Sequence, residues 1–322
     1  MQIGKLPNDI LKNEILSKIN IDNKDVLVGP GVGEDCSIVD FGEEKCVLTT
    51  DPITGAINDI GTLAVHISCN DIASAGVKPL GVMVTILAPP NCTLDDIKKV
   101  MDDIVTTCKS LSVVVLGGHT EVTDAVNKML VSITAIGKGK NIISTSGAKL
   151  NDDIVVTGYA GLEGTVIIAG DKSEELLKYF RKDEINTIKS MLSSISVVET
   201  GLIAGEFGVN SMHDATEGGI LGAIYEVGEA SGLSVKIYEN KIPIKDETKK
   251  IAEMFNINPY RLISSGSMII TTPRGEELVE CLKKSNINSA IVGKITNGEN
   301  IIVKDSKKLI LEAPLSDEIY KI

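Results

Sequence analysis

Where the apolar strands of this chain run out, turn residues and carboxylates gather, and this pattern recurs in both halves of the sequence. The first such place is Gly29-Pro30-Gly31-Val32-Gly33-Glu34-Asp35, a tight glycine-rich turn that ends in two adjacent acids. Glycine lets a backbone pass close to a ligand or a neighbouring element. Leu48-Thr49-Thr50-Asp51-Pro52 then sets a carboxylate at the end of an apolar run, with Pro52 restricting Asp51 to extended backbone. Binding and catalytic residues sit disproportionately on such loops.

The elements between these places alternate. Leu80 to Leu87, Val113 to Leu116 and Met129 to Ile136 read as apolar strands. Thr93 with Asp96 three residues on signals a helix start, and Leu94, Ile97, Val100, Met101, Ile104, Cys108 and Leu111 continue it at helical spacing. A turn-rich stretch from Gly137 to Asp153 separates a first domain, 1–145, from a second, 146–322. In the second, Ile154 to Thr157 and Met268 to Thr272 read as strands, and Gly218 to Ala230 and Gly275 to Lys284 as helices. Both halves are α+β.

A net charge of −12 argues against nucleic-acid binding, which needs a concentrated cationic face. No apolar run is long enough to span a membrane, and Met1 to Ile10 lacks the pattern of a signal peptide, so a cytoplasmic protein is expected. The six cysteines include no CxxC or CxxH pair, which leaves reduced and mostly buried thiols.

The polar residues with the most chemistry are carboxylates on separate segments. His66, Asn70 and Asp71 fall on a probable helix among apolar neighbours, and burying an Asn-Asp pair there is costly without partners. Asp35, Asp51 and Asp71 are candidates to hold Mg, which takes its remaining ligands from water and nucleotide phosphates. Asp51 serves equally well as a cap for the segment after it, and the residues alone leave both roles open. Leu116-Gly117-Gly118-His119-Thr120-Glu121 reads as a ligand-facing loop after a strand. Gly158 to Thr165 reads as a glycine-rich loop able to bind phosphate through its amides, and His213-Asp214-Ala215-Thr216-Glu217-Gly218-Gly219 precedes a helix that Asp214 or Thr216 could cap. Neither a Walker loop nor a complete dinucleotide fingerprint occurs.

In this order, GVGEDC, TTDP, NDIASAG followed by KP, GGHTEV, GLEGT and HDATEGG resemble the PurM superfamily. That superfamily includes aminoimidazole-ribonucleotide synthetase, thiamine-monophosphate kinase, selenophosphate synthetase and the hydrogenase-maturation protein HypE. The combination of DPITG with the later motifs is most similar to the HypE-related branch, often described as AIR-synthase-related. The resemblance implies a two-domain PurM-like fold: an amino-terminal domain that forms a dimeric β-barrel with a second copy, and a carboxyl-terminal α/β sandwich. It implies an ATP- and Mg-dependent enzyme that phosphorylates an oxygen of a small-molecule or protein-borne substrate. A thiamine-monophosphate-kinase-like phosphotransferase, or a maturation factor that holds ATP without fast turnover, are the rival expectations.

Carried over by position, the metal ligands are Asp35, Asp51 and Asp71. The nucleotide contacts are Gly33, Asp35, Thr50, Asp51, Asn70, Asp71, Gly117, Gly118, His119, Thr120 and Glu217, and the catalytic residues are His119, Glu121 and Asp214. His119 departs from the Asp usual at that place in HypE-like sequences, and HDATEGG departs from their Arg-Asp-Pro-Thr-Arg-Gly-Gly. HypE itself ends in a cysteine, whereas this chain ends Glu318-Ile319-Tyr320-Lys321-Ile322. The tail from Ser316 is therefore expected to be dispensable for ATP binding, and Cys281 to be packed inertly on its helix.

Overall fold

The structure, a computed structural model, describes residues 7–19, 21–53, 59–314 and 316–322. Thr54 and Gly55, the end of the DPITG segment, lie outside the described residues. The first half is a six-stranded sheet in the order β1-β2-β3-β6-β4-β5. Its strands are β1 Val26–Val28, β2 Ser37–Asp40, β3 Lys45–Ile53, β4 Pro79–Ala88, β5 Val114–Val122 and β6 Leu130–Gly139. All neighbours are antiparallel except β4 and β5. Two helices, α1 Ile60–Ser74 and α2 Leu94–Leu111, cover one face. The expected start of α2 is present: Thr93 and Asp96 exchange both hydrogen bonds of a capping box, worth about 1 kcal/mol.

Strand alternation explains which side chains meet those helices. Val47, Val82, Val84, Ile86, Val131 and Ile133 join Leu63, Ile72, Val100 and Ile104 in one buried cluster. The opposite face is open. Leu80, Met83 and Leu116 there are 46%, 49% and 50% exposed, and β1 and β5 are free edges, so within one chain the sheet is not a closed barrel.

The second half is a seven-stranded sheet in the order β13-β12-β9-β11-β7-β10-β8. It comprises β7 Asp153–Thr157, β8 Ser211–Asp214, β9 Ser234–Tyr238, β10 Met268–Thr272, β11 Ser289–Thr296, β12 Ile301–Lys304 and β13 Lys307–Ile310. The longer helices are α3 Leu162–Asp171, α4 Lys182–Ser190, α5 Val198–Phe207, α6 Gly219–Ala230, α7 Asp246–Phe255 and α8 Gly275–Lys284. Ile154, Val156 and Ile269 pack against α6 on one side, while Val155, Met268 and Ile270 pack against α5 and α8 on the other. Double burial is why β7 and β10 read as continuous apolar runs rather than alternating ones. Leu278 and Leu282 of α8 are buried, but Cys281 beside them is only partly so.

The halves share a core, since Leu162, Ile195 and Val198 belong to the same cluster as the first-half sheet and helices. Helix α5 lies directly on α1: a Cβ on Gly201 would sit 2.2 Å from the carbonyl oxygen of Ala73, so only glycine permits this crossing.

One expectation needs correction. The Gly117 to Val122 segment is not a loop but the body of β5. A Cβ on Gly118 would fall 1.8 Å from the carbonyl oxygen of Val84, so that glycine is required by strand pairing with β4. The carboxyl tail is packed onto the second half. Asp317 and Glu318 are buried, and Ile319 and Ile322 pack on the cluster formed by α3, α4 and α7. No helix among the described residues is long and apolar enough to cross a membrane.

Candidate functional site

The acids converge at the seam between the halves. Thr49 and Asp51 alternate onto the helix-covered face of β3, and Asp71 comes from the last turns of α1. The Thr49 hydroxyl donates to Asp71 Oδ2 at 2.6 Å and lies 3.3 Å from Asp51 Oδ2. Asp214, at the end of β8, approaches from the second half. Burial first, then the charges of Asp214 and Asp51 and the nearby Asp35, hold the Asp71 carboxyl well above the usual carboxylate range. Cys36, whose thiol donates to the Asp71 carbonyl oxygen at 3.1 Å, is pushed up by burial and then by the same acids.

Asp35 is brought in by Gly33. That glycine has φ +79°, and a Cβ on it would lie 3.1 Å from the Glu226 Cβ of α6, so the loop can press onto the helix only with glycine here. Asp35 Oδ1 then lies 2.5 Å from His213 Nδ1, and His213 Nε2 is 3.1 Å from Glu226 Oε2. Burial alone would lower the His213 pKa, but the charges and hydrogen bonds of Asp35 and Glu226 outweigh it and hold it well above its ordinary value. His213 is thus a buried imidazolium between two carboxylates. The Asp35 contact is an ion pair rather than an aligned hydrogen bond, and buried Asp35 Oδ2 has no hydrogen-bond partner among the described residues.

This donor set fits a divalent cation. Asp35 and Asp214 offer oxygens within 4.8 Å of each other and of a His213 nitrogen, but with both ring nitrogens facing acids His213 has no lone pair to give, so the carboxylates are the candidate ligands. Asp51 and Asp71 extend the group on the far side of the seam. A doubly charged ion would relieve the repulsion that raises Asp71 and occupy the unpartnered Asp35 oxygen.

Several expected contacts are placed elsewhere. Thr50 faces the open side of β3, opposite to Asp51, and its hydroxyl meets that of Thr134 at 2.9 Å; Thr49 is the threonine at the acids. Asn70 is fully buried, but its amide is consumed by the second half: Nδ2 donates to the Ile195 carbonyl and Oδ1 accepts from Val197 N–H, each at 2.8 Å. It joins the halves.

His119, Thr120 and Glu121 are exposed on β5, with His119 Nε2 3.1 Å from Glu121 Oε2. The register Pro52 to Ser132 to Thr85 to His119 puts three strand spacings, roughly 14 Å, between the Asp51 strand and His119. His66 is buried, and burial lowers its pKa to about 4.

In the second half, amides of the Gly158 to Thr165 segment are already engaged: Gly161 N–H donates to Ser264 Oγ and Gly164 N–H to the Ile263 carbonyl. Glu163 is buried, which lifts its pKa to about 7, and it accepts from Ser265 N–H at 3.3 Å. Neither Asp214 nor Thr216 caps α6; Gly218, at φ +85°, precedes it without a side-chain cap. Glu217 accepts from the Tyr320 hydroxyl at 2.7 Å.

Reasoning from sequence missed His213, Glu226 and Thr49 as members of the site. His213 stood inside a quoted motif, and the cost of burying a histidine beside two acids was its available signal. Glu226 carried none, because a glutamate on an amphipathic helix ordinarily faces solvent.

The AIR synthase related protein N-terminal domain matches residues 33–138, and the corresponding C-terminal domain matches residues 151–306. A protein of Methanocaldococcus jannaschii named for hydrogenase expression and formation is 27% identical, across 99% of this chain and 97% of its own length. A selenide, water dikinase of Methanococcus maripaludis is 28% identical, across 96% of this chain and 97% of its own. Among solved structures, the hydrogenase maturation protein HypE in complex with ATP has the same fold, with a TM-score of 0.70 and 18% identity over 98% of this chain and 94% of that one.

Proposed function

The chain belongs to the AIR synthase related protein family, in its HypE-related branch, and on that premise we propose that it is a Mg-ATP-dependent enzyme that phosphorylates an oxygen of its substrate. The observation that carries the reading is the meeting of Asp35, Asp51, Asp71 and Asp214 across the seam, with a buried Asp35 oxygen left without a hydrogen-bond partner among the described residues. Such a group is unfavourable unless a cation joins it.

Asp35, Asp51, Asp71 and Asp214 would hold the metal, which supplies charge neutralisation to the transferring phosphoryl group. Around it, His213 keeps Asp35 oriented and Glu226 keeps His213 charged, while Thr49 fixes Asp71. Phosphoryl transfer asks mainly for such positioning. In this reading the acceptor is a small molecule or a protein-borne group.

We also propose that a second copy covers the open face of the first sheet, where Leu80, Met83 and Leu116 are exposed beside the free edge of β5. His119 and Glu121 would act within that assembled face.

Mg-ATP should raise the melting temperature of the protein and yield ADP on turnover, and Asp51→Asn should remove most of the ligand-induced rise. Calorimetric melting with and without Mg-ATP measures it. Equal rises in the wild type and the variant would end the metal assignment, and a rise without ADP release would favour a nucleotide-holding factor over an enzyme.

A further inference from the structure

The most heavily hydrogen-bonded part of the tail surrounds one turn, and that turn leads out of the carboxylate group. Asp317 is 3% exposed and has no cation beside it among the described residues; burial lifts its pKa to about 6. Its Oδ2 accepts from Gly218 N–H at 2.7 Å, and its Oδ1 from Ile263 N–H at 3.2 Å and Ile319 N–H at 2.8 Å. One carboxylate therefore ties together the turn before α6, the loop before β10 and the tail's own terminal helix, Glu318–Lys321.

Three residues further along, the Tyr320 hydroxyl donates to Glu217 Oε1 at 2.7 Å, gripping the residue before Gly218 from the same side. Gly218 and Gly219 both have positive φ, and a Cβ on Gly219 would lie 2.6 Å from the Tyr260 carbonyl oxygen, so the turn cannot slide without losing these contacts. Asp214 stands four residues before Gly218, at the end of β8.

We propose that Asp317 and Tyr320 are positioning residues: the tail is a clamp that fixes the Thr216 to Gly219 turn from behind and so sets how far Asp214 reaches into the carboxylate group. The proposal rests on the reading of that group as a divalent-cation site. Its chemistry is specific. A carboxylate accepts three N–H bonds at once, whereas an amide in its place turns a donor toward one of them. Phenylalanine at 320 keeps the ring and loses only the bond to Glu217.

The test uses the full-length protein and Mn2+ alone as the probe, read by the loss of free-ion signal in electron paramagnetic resonance, with melting temperature measured alongside. Asp317→Asn should weaken Mn2+ binding about tenfold and Tyr320→Phe about threefold, from the loss of one charge-assisted hydrogen bond each. Tyr320→Phe should keep a melting temperature close to wild type. Lys321→Ala, which removes only the tail's internal pair with Glu318, should leave the Mn2+ affinity unchanged. If Mn2+ binding in both clamp variants equals wild type, whatever their melting temperatures, the tail is structural only and the proposal is overturned. If the wild type binds no Mn2+, the cation reading and the clamp fall together.

Discussion

The two sheets look alike in sequence and differ in what covers them. In the second half, β7 and β10 lie between α6 on one face and α5 and α8 on the other, and their side chains are almost wholly buried. In the first half, β4 and β5 have helices on one face only, and β5 is exposed along nearly its whole length. Apolar strands therefore do not by themselves report a closed core. Polar residues on the two sheets also carry different weight: those at the seam are held by several partners, while His119 and Glu121 have chiefly each other.

Asn70→Ala should show the largest effect, because the seam is where partners are shared. It strands the Val197 N–H and the Ile195 carbonyl in a dry site, for a loss of roughly 2–5 kcal/mol. Urea unfolding measures it. A loss below about 1 kcal/mol would mean that the halves are not joined as tightly as the contrast with the open face requires.

Glu163→Gln addresses the buried second half through pH. Its folded pKa of about 7 lies above the ordinary 4.5, so the folded state takes up its proton more readily than the unfolded one. The associated stability is fully present below about pH 4.5 and is lost as pH rises through about 7. Between those limits wild type should lose on the order of 3 kcal/mol more than Glu163→Gln, which cannot titrate there. Parallel stability curves for the two proteins would show that the carboxyl is better solvated than its burial indicates.

The smallest effect on folding is expected on the open face. Met83→Glu should change monomer stability by less than about 0.5 kcal/mol, since the side chain is already half exposed. A charge at the centre of the proposed contact should nonetheless convert a dimer into monomers in sedimentation velocity. A wild type that is monomeric at micromolar concentration would remove the second copy from that face.

Much of the architecture was legible because local rules produce it. Thr93 and Asp96 set the start of α2, hydrophobic periodicity set its length, and β10 and α8 begin and end where their apolar patterns do. Asp35, Asp51 and Asp71 stood out as carboxylates next to glycine, proline or a buried helix face, and the structure brings them near one another at the seam. What lay beyond reach was which neighbour each residue would have. Thr49 and Thr50 are adjacent and chemically identical, and only the pairing of β3 with β6 and the placing of α1 decides that Thr49 meets the acids and Thr50 the open face. His213 became a buried cation because Asp35 and Glu226, 178 and 13 residues away in the chain, are folded onto its two nitrogens.

The tail shows the same division. Its composition determined that it carries no cysteine, a property of the chain alone. Whether it hangs free or clamps the turn before α6 depends on three backbone N–H groups from two distant segments and its own helix converging on Asp317. Hydrogen bonds of that kind are satisfied only once the tertiary structure has excluded water from around them, so no local pattern in the sequence can announce them.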